Sequence, residues 1–181
     1  MAARGSMEDV MATLDAHLDP FDEILRAAAA TYAKYPPEFR IDHDNRASAS
    51  NIYSHIVVEA DKRFADRSDI RTVAVRGLKI WLIEDVAIRF KKMDGSGRTR
   101  SYQTKQQRDF DAQLELPGIP HAATRIAVGY VLDPTGSYLR SQVARPLPRG
   151  RTSWCAAIVP AEQREAAESR WIDISRQLKL A

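Results

Sequence analysis

Residues 89–108 carry Arg89, Lys91, Lys92, Arg98, Arg100, Lys105 and Arg108 against one acid, Asp94. The chemistry open to such a run is neutralisation of phosphate or of a carboxylate-rich surface. Alternate side chains of a strand share a face, so Arg89 would point with Lys91, and Arg98 with Arg100. Asp94-Gly95-Ser96-Gly97 between them is a turn signal, which predicts a basic β-hairpin over 89–108. Like charges facing one another across such a ribbon repel unless water or an anion screens them. Arg140, Arg145, Arg149 and Arg151 form a second basic stretch with no acid among residues 140–151. Two expectations follow: a surface for nucleic acid or an acidic protein partner, or an edge hairpin charged to deter strand addition.

A second set of residues has the makings of metal-assisted hydrolysis. Asp85 stands late in a strand-like run, and Gln103-Thr104-Lys105 stands on the return arm beyond the turn. Carboxylates hold a divalent cation against a phosphate, and a lysine positions or deprotonates the attacking water. The pattern resembles that of the PD-(D/E)xK nucleases, where an acid on one strand and an (E/Q)xK tripeptide on the next meet at one metal. The resemblance implies Asp85 and Gln103 at a Mg or Mn ion, with Lys105 beside them. It also implies an acid from a preceding helix, for which Glu59 or Asp61 is available. The helix–strands–helix–strand order expected from 47 to 132 fits this pattern. Glu84 rather than proline precedes Asp85, and glutamine replaces a second carboxylate.

Other reactive side chains read as structural. Asp42-His43-Asp44 follows Pro36-Pro37, where an aspartate caps the next helix more often than it binds metal. His17 and His121 have no ligand spacing to the single cysteine. Cys155 lies in the apolar run Trp154-Cys155-Ala156-Ala157-Ile158, which predicts a buried thiol rather than a nucleophile. Trp81, Trp154 and Trp171 read as core anchors.

The elements that must position these groups change character near residue 70. Before it, helical spacing marks 8–18, a stretch from Asp19-Pro20 to about Tyr35, and 47–65, with a loop over 38–45. After it, β-branched and aromatic residues predict strands over 72–75, 78–90, 98–105, 124–132, 137–144 and 152–159. A short helix is expected over 106–116, and Asp133-Pro134-Thr135-Gly136 marks a second hairpin turn. Pro160 opens an expected C-terminal helix, 160–178, carrying Ala167, Trp171, Ile174 and Leu178. The expected fold is therefore α+β: N-terminal helices on a mostly antiparallel sheet of about five or six strands, capped by the C-terminal helix.

Charge divides along the same line. Residues 1–70 hold 8 Lys/Arg and 13 Asp/Glu, while residues 71–151 hold 15 and 7. One domain suits 181 residues, with an acidic helical part (7–70), a basic β-rich part (71–159) and the closing helix. Residues 1–6 read as either a cloning remnant ahead of Met7 or a natural ragged start, outside the fold in both cases. No apolar run reaches the roughly 18 residues of a membrane span, and one cysteine suits a reducing cytoplasm. The primary functional expectation is a non-catalytic, cytoplasmic interaction protein without cofactor. It would bind nucleic acid or an acidic protein, as in a bacterial toxin–antitoxin or phage-defence pair. The alternative is the small metal-dependent nuclease.

Overall fold

The structure is a computed structural model that describes residues 5–75, 77–99 and 104–175. Its first element, α1 (Met7–Leu14), starts where the Ser6 hydroxyl accepts from the Asp9 amide, and it turns Val10, Met11 and Leu14 inward. A single 3-10 turn leads into α2 (Leu18–Ala33), which buries Phe21, Ile24, Leu25 and Ala28. Pro36-Pro37 cannot continue that helix, and Pro37 instead begins the short α3 (Pro37–Ile41), within the expected loop. Asp44 caps α4 (Asn45–Phe64), accepting from the Arg46 and Ala47 amides at 2.9 and 2.7 Å. Ile52, Ile56, Ala60 and Phe64 recur every fourth residue along its buried stripe.

The rest of the described chain is dominated by one seven-stranded sheet whose spatial order follows chain order: β1 (Ile70–Val75), β2 (Leu78–Ile83), β3 (Val86–Lys92), β4 (Thr124–Leu132), β5 (Tyr138–Leu147), β6 (Arg151–Ile158) and β7 (Trp171–Asp173). Every neighbouring pair is antiparallel except β3 and β4, which run parallel. A parallel step needs a crossover. Residues 93–123 supply it, with the helix α5 (Lys105–Asp111) inside.

Both faces of the sheet are covered. Helices α1, α2 and α4 lie on one, where Phe21, Trp81 and Phe90 meet edge to face at 5.8 and 4.9 Å between centroids. On the far face α5 and the segment after it bury Phe110, Leu116, Ile119 and Ala123 on Ile80, Leu82 and Ala87. Beside them Met93 packs with Ala127, Ala144, Cys155 and Ile174.

The α+β class is as the sequence implies, but three elements differ. The run 78–90 is two strands, broken by a tight turn at Glu84 (φ 49°) and Asp85. Gly5 and Ser6 belong to the fold: the Gly5 carbonyl accepts from Trp154 Nε1 at 3.2 Å. Through residue 175 the expected C-terminal helix is instead a 3-10 turn at Ala161–Gln163 and the strand β7; residues 176–178 of that expectation, Leu178 among them, lie outside the described residues. Arg164 explains why, since it grips Asp19 at 2.5 and 2.7 Å and the Val159 carbonyl at 2.7 Å. Arg170 is bound to Asp15 and Asp19. Pinned at both points, the chain runs extended and pairs Trp171–Asp173 with β6.

Gly129 permits the parallel step. Opposite Lys91 in the register, it lies so close that a Cβ there would overlap the Lys91 carbonyl oxygen and come within 2.8 Å of Met93 Sδ. Gly129→Ala should therefore destabilise the fold by about 3 kcal/mol, the upper range for overpacking a core. Urea denaturation of both proteins measures this, and an unchanged midpoint would contradict the close approach.

Candidate nucleic-acid interface

Among the described residues the return arm of the expected basic hairpin is not a strand: Lys105 begins α5, and residues 100–103 lie outside them. Asp94-Gly95-Ser96-Gly97 is a turn, with Asp94 Oδ1 accepting from the Ser96 and Arg98 amides at 2.9 and 3.1 Å. Among the described residues no strand directly follows it alongside β3, which β4 pairs from Val86 to Lys92 and β2 from Val86 to Ile88. Instead it folds over the far face: Gln142 Nε2 donates to the Asp94 carbonyl at 2.7 Å, and Arg140 to that of Gly95 at 3.1 Å. Arg100 and Gln103 lie outside the described residues.

This placement divides the cations into two sets. Arg89 is 3% exposed, its guanidinium 4.8 Å from the Phe110 ring centroid beneath α5. Burial pulls its pKa down to about 10, opposed by the Asp111 carboxylate. Lys91 is half-buried beside it and donates to Gln107 Oε1 at 3.3 Å. Burial, reinforced by Arg89, lowers its pKa to about 8, again opposed by Asp111. The Asp111 carboxyl is itself raised by burial, against the pull of Arg89 and Lys91. Arg125, a lone cation in the apolar run of β4 that no sequence pattern marks, is 1% exposed and donates to the Asp109 carbonyl at 3.4 Å. Arg140 bonds Gln142 and Gly95, and Arg145 bonds the Gly5 carbonyl. These five cations are built into the fold.

The second set reaches solvent. Arg98 after the turn, Lys105 and Arg108 on α5, and Arg149 and Arg151 around the 3-10 turn Pro148–Gly150 are exposed; Lys92 is half-buried. No carboxylate among the described residues pairs with any of them. Helix α5 lies against the Pro148–Gly150 turn, so Arg108 and Arg149 belong to touching elements. The ion pairs found elsewhere gather on the helical side and its rim: Lys62–Glu59, Arg63–Glu23, Lys79–Asp61, Arg67–Asp69, Arg26–Asp22, Arg164–Asp19 and Arg170–Asp15. The acidic helices thus hold several cations of their own layer, of β2 and of the C-terminal segment, although Lys34, Arg40 and Arg46 stay exposed without an acid partner among the described residues.

Of the nuclease residues, Asp85, Lys105 and Glu59 are not brought together, and Gln103 lies outside the described residues. Asp85 sits in the turn before β3, its carbonyl accepting from the Thr124 amide at 2.8 Å. Lys105 begins α5 near the other end of β3, two residues before Gln107, the partner of Lys91. Val86 and Lys91 are five residue steps apart along the strand, about 17 Å. Glu59 pairs with Lys62 at 3.1 Å, and Asp61 holds Lys79 Nζ at 2.6 and 2.7 Å. Residues 45–132 do keep the order helix, three strands, helix, strand. Where β2 and β3 face α5, however, they carry Ile80, Leu82, Ala87 and Arg89 rather than carboxylates. Among the described residues no three His, Cys, Asp or Glu side chains gather where a metal could bind.

The remaining candidates are engaged elsewhere. His43 Nδ1 lies 2.9 Å from the Tyr32 hydroxyl, while Asp44 caps α4. Cys155 is buried, its thiol pushed up to about 12 by desolvation. No described helix is long and apolar enough to cross a membrane. The chain matches no family model, and no curated protein or solved structure was found similar to it.

Lys91 gives a measurable consequence of burial. An unfolded lysine titrates near 10.4, so above pH 8 the folded chain sheds this proton first and stability rises with pH. Between pH 8 and 9.5 the gain is up to about 2 kcal/mol. Chemical denaturation across that window should show the rise in the wild type and a flatter profile in Lys91→Met. Equal slopes would mean that the amine is fully hydrated.

Proposed function

We propose that this chain is a non-catalytic binding protein that takes nucleic acid along its far face. Arg98, Lys105, Arg108, Arg149 and Arg151 make the contacts. The supporting observation is their grouping: these five stand exposed with no carboxylate partner among the described residues, and Arg108 and Arg149 lie on elements that touch. Exposed, unpaired cations gain most from phosphate, because binding releases the counterions condensed on the polyanion. Four of the five are arginines, whose planar fork matches phosphate oxygens in pairs.

The cations are spread over three elements instead of converging on a point, as an elongated ligand with repeating charge requires. Phe39, the one large exposed aromatic among the described residues, lies on α3 in the opposite layer. Binding is therefore to the backbone, with little dependence on base sequence.

Fluorescence anisotropy with labelled duplex DNA and RNA tests this. Affinity should fall steeply with salt in the wild type. Arg108→Ala combined with Arg149→Ala should weaken binding and reduce the log–log salt slope by about 2. Arg40→Ala with Arg46→Ala, exposed cations of the helical layer, should leave both unchanged. Absence of binding at the lowest salt, or equal loss in the control pair, would remove the proposal. Metal-dependent cleavage that disappears in Asp85→Asn would replace it with catalysis.

A further inference from the structure

The sheet ends in two unlike edges. At one, β7 is only three residues long and is held from the side by Arg164 and Arg170. Short, pinned edge strands resist further pairing. At the other, β1 has six residues, no proline and one charge, Arg71, and it follows β2 from Ile70↔Ile83 to Val75↔Leu78 without a register shift. No described strand pairs with its outer side, and Arg71, Thr72 and Ala74 are exposed.

Which backbone groups face outward follows from the two hairpins. Residues 76–77 connect Val75 to Leu78, and residues 84–85 connect Ile83 to Val86, so each closing pair exchanges hydrogen bonds. Alternation then directs residues 71, 73 and 75 of β1 toward β2, and Ile70, Thr72 and Ala74 away from it. The Ile70 amide agrees, since it bonds the Arg67 carbonyl at 3.3 Å instead of β2. Thr72 and Ala74 therefore present their N–H and C=O groups to whatever lies beyond the edge.

We infer that a second copy of this chain lies there, its β1 antiparallel to the first about a two-fold axis normal to the sheet, Thr72 opposite Thr72. An antiparallel two-fold pairing keeps each copy's faces on their own sides, so like-parity residues must oppose one another. Centring on Arg71 sets guanidinium against guanidinium and is repulsive. Centring on Val73 leaves Ile70 opposite residue 76, beyond the strand. Centring on Thr72 lets the two Thr72 residues exchange both bonds, brings each Ala74 amide to an Ile70 carbonyl, and sets Arg71 against Val73. The same axis turns both far faces to one side, so two basic surfaces would adjoin. The dimer itself does not depend on what those surfaces bind.

Cross-linking tests the register and ultracentrifugation the assembly. Hydrogen-bonded antiparallel partners have Cα atoms about 5.5 Å apart, within disulfide range. Mild oxidation of Thr72→Cys should give a covalent dimer, while Arg71→Cys, facing Val73, should not; native Cys155 is buried and does not compete. Thr72→Pro deletes an outward N–H that β2 does not use, a position where edge strands accept proline. It should keep its circular dichroism spectrum and sediment as a monomer where the wild type is a dimer. A wild type that stays monomeric at every concentration, with no cross-link at residue 72, overturns the inference. So does a folded Thr72→Pro that remains dimeric. If Thr72→Pro fails to fold, the contrast between the two cysteine variants still decides.

Discussion

Strands β3 and β4 lie in the middle of the sheet, pair in parallel, and are covered on both faces. Much of the molecule answers to that constraint. The crossover travels over the far face, and it carries α5 with it, closing water off from Arg89 and Arg125 and half-burying Lys91. Those cations persist there because their long stems pack as apolar matter while the Phe110 ring, the Gln107 side-chain oxygen and the Asp109 carbonyl meet their heads beside the Asp111 charge. Arg89 Nη1 and Arg125 Nε are nonetheless buried without a hydrogen-bond partner among the described residues. Cations that the same crossover leaves at its rim, such as Arg98 and Arg108, remain in water.

The helical layer was largely legible in the sequence because it obeys local rules. Isoleucine and phenylalanine at four-residue spacing, an aspartate cap and a proline pair fix α4 and the end of α2 without help from the sheet. The hairpin around Asp133-Pro134-Thr135-Gly136 was equally plain, its aspartate collecting the amides of Thr135 and Ser137. The strand run 78–90 was misread as one element since strands buried on both faces lose the alternation that marks their ends. The turn inside it uses Glu84 and Asp85 where glycine or asparagine would have announced it.

The basic segment was misplaced for a different reason. Its basic composition is plain in the sequence, but whether a strand's next neighbour is the following segment or a distant one is a tertiary choice. Here β4, more than thirty residues on, occupied the edge that a local hairpin would have used. The C-terminal residues show the same competition: Trp171 and Ile174 have helical spacing, yet Arg164 and Arg170 find Asp19 and Asp15 on the opposite end of the chain and stretch the backbone between them. The division of charge along the chain was visible from the start; its meaning depended on which layer each acid finally joined.

Because strand order in space repeats strand order in the chain, each of the seven strands finds its partner directly before or after it in sequence. Chain growth on the ribosome would therefore deliver the sheet in two instalments, β1 to β3 and then β4 to β7. Only the seam between them must wait for the intervening loop to close. The entropy of that closure grows slowly with loop length, so the thirty-odd residues of the crossover delay the join only modestly.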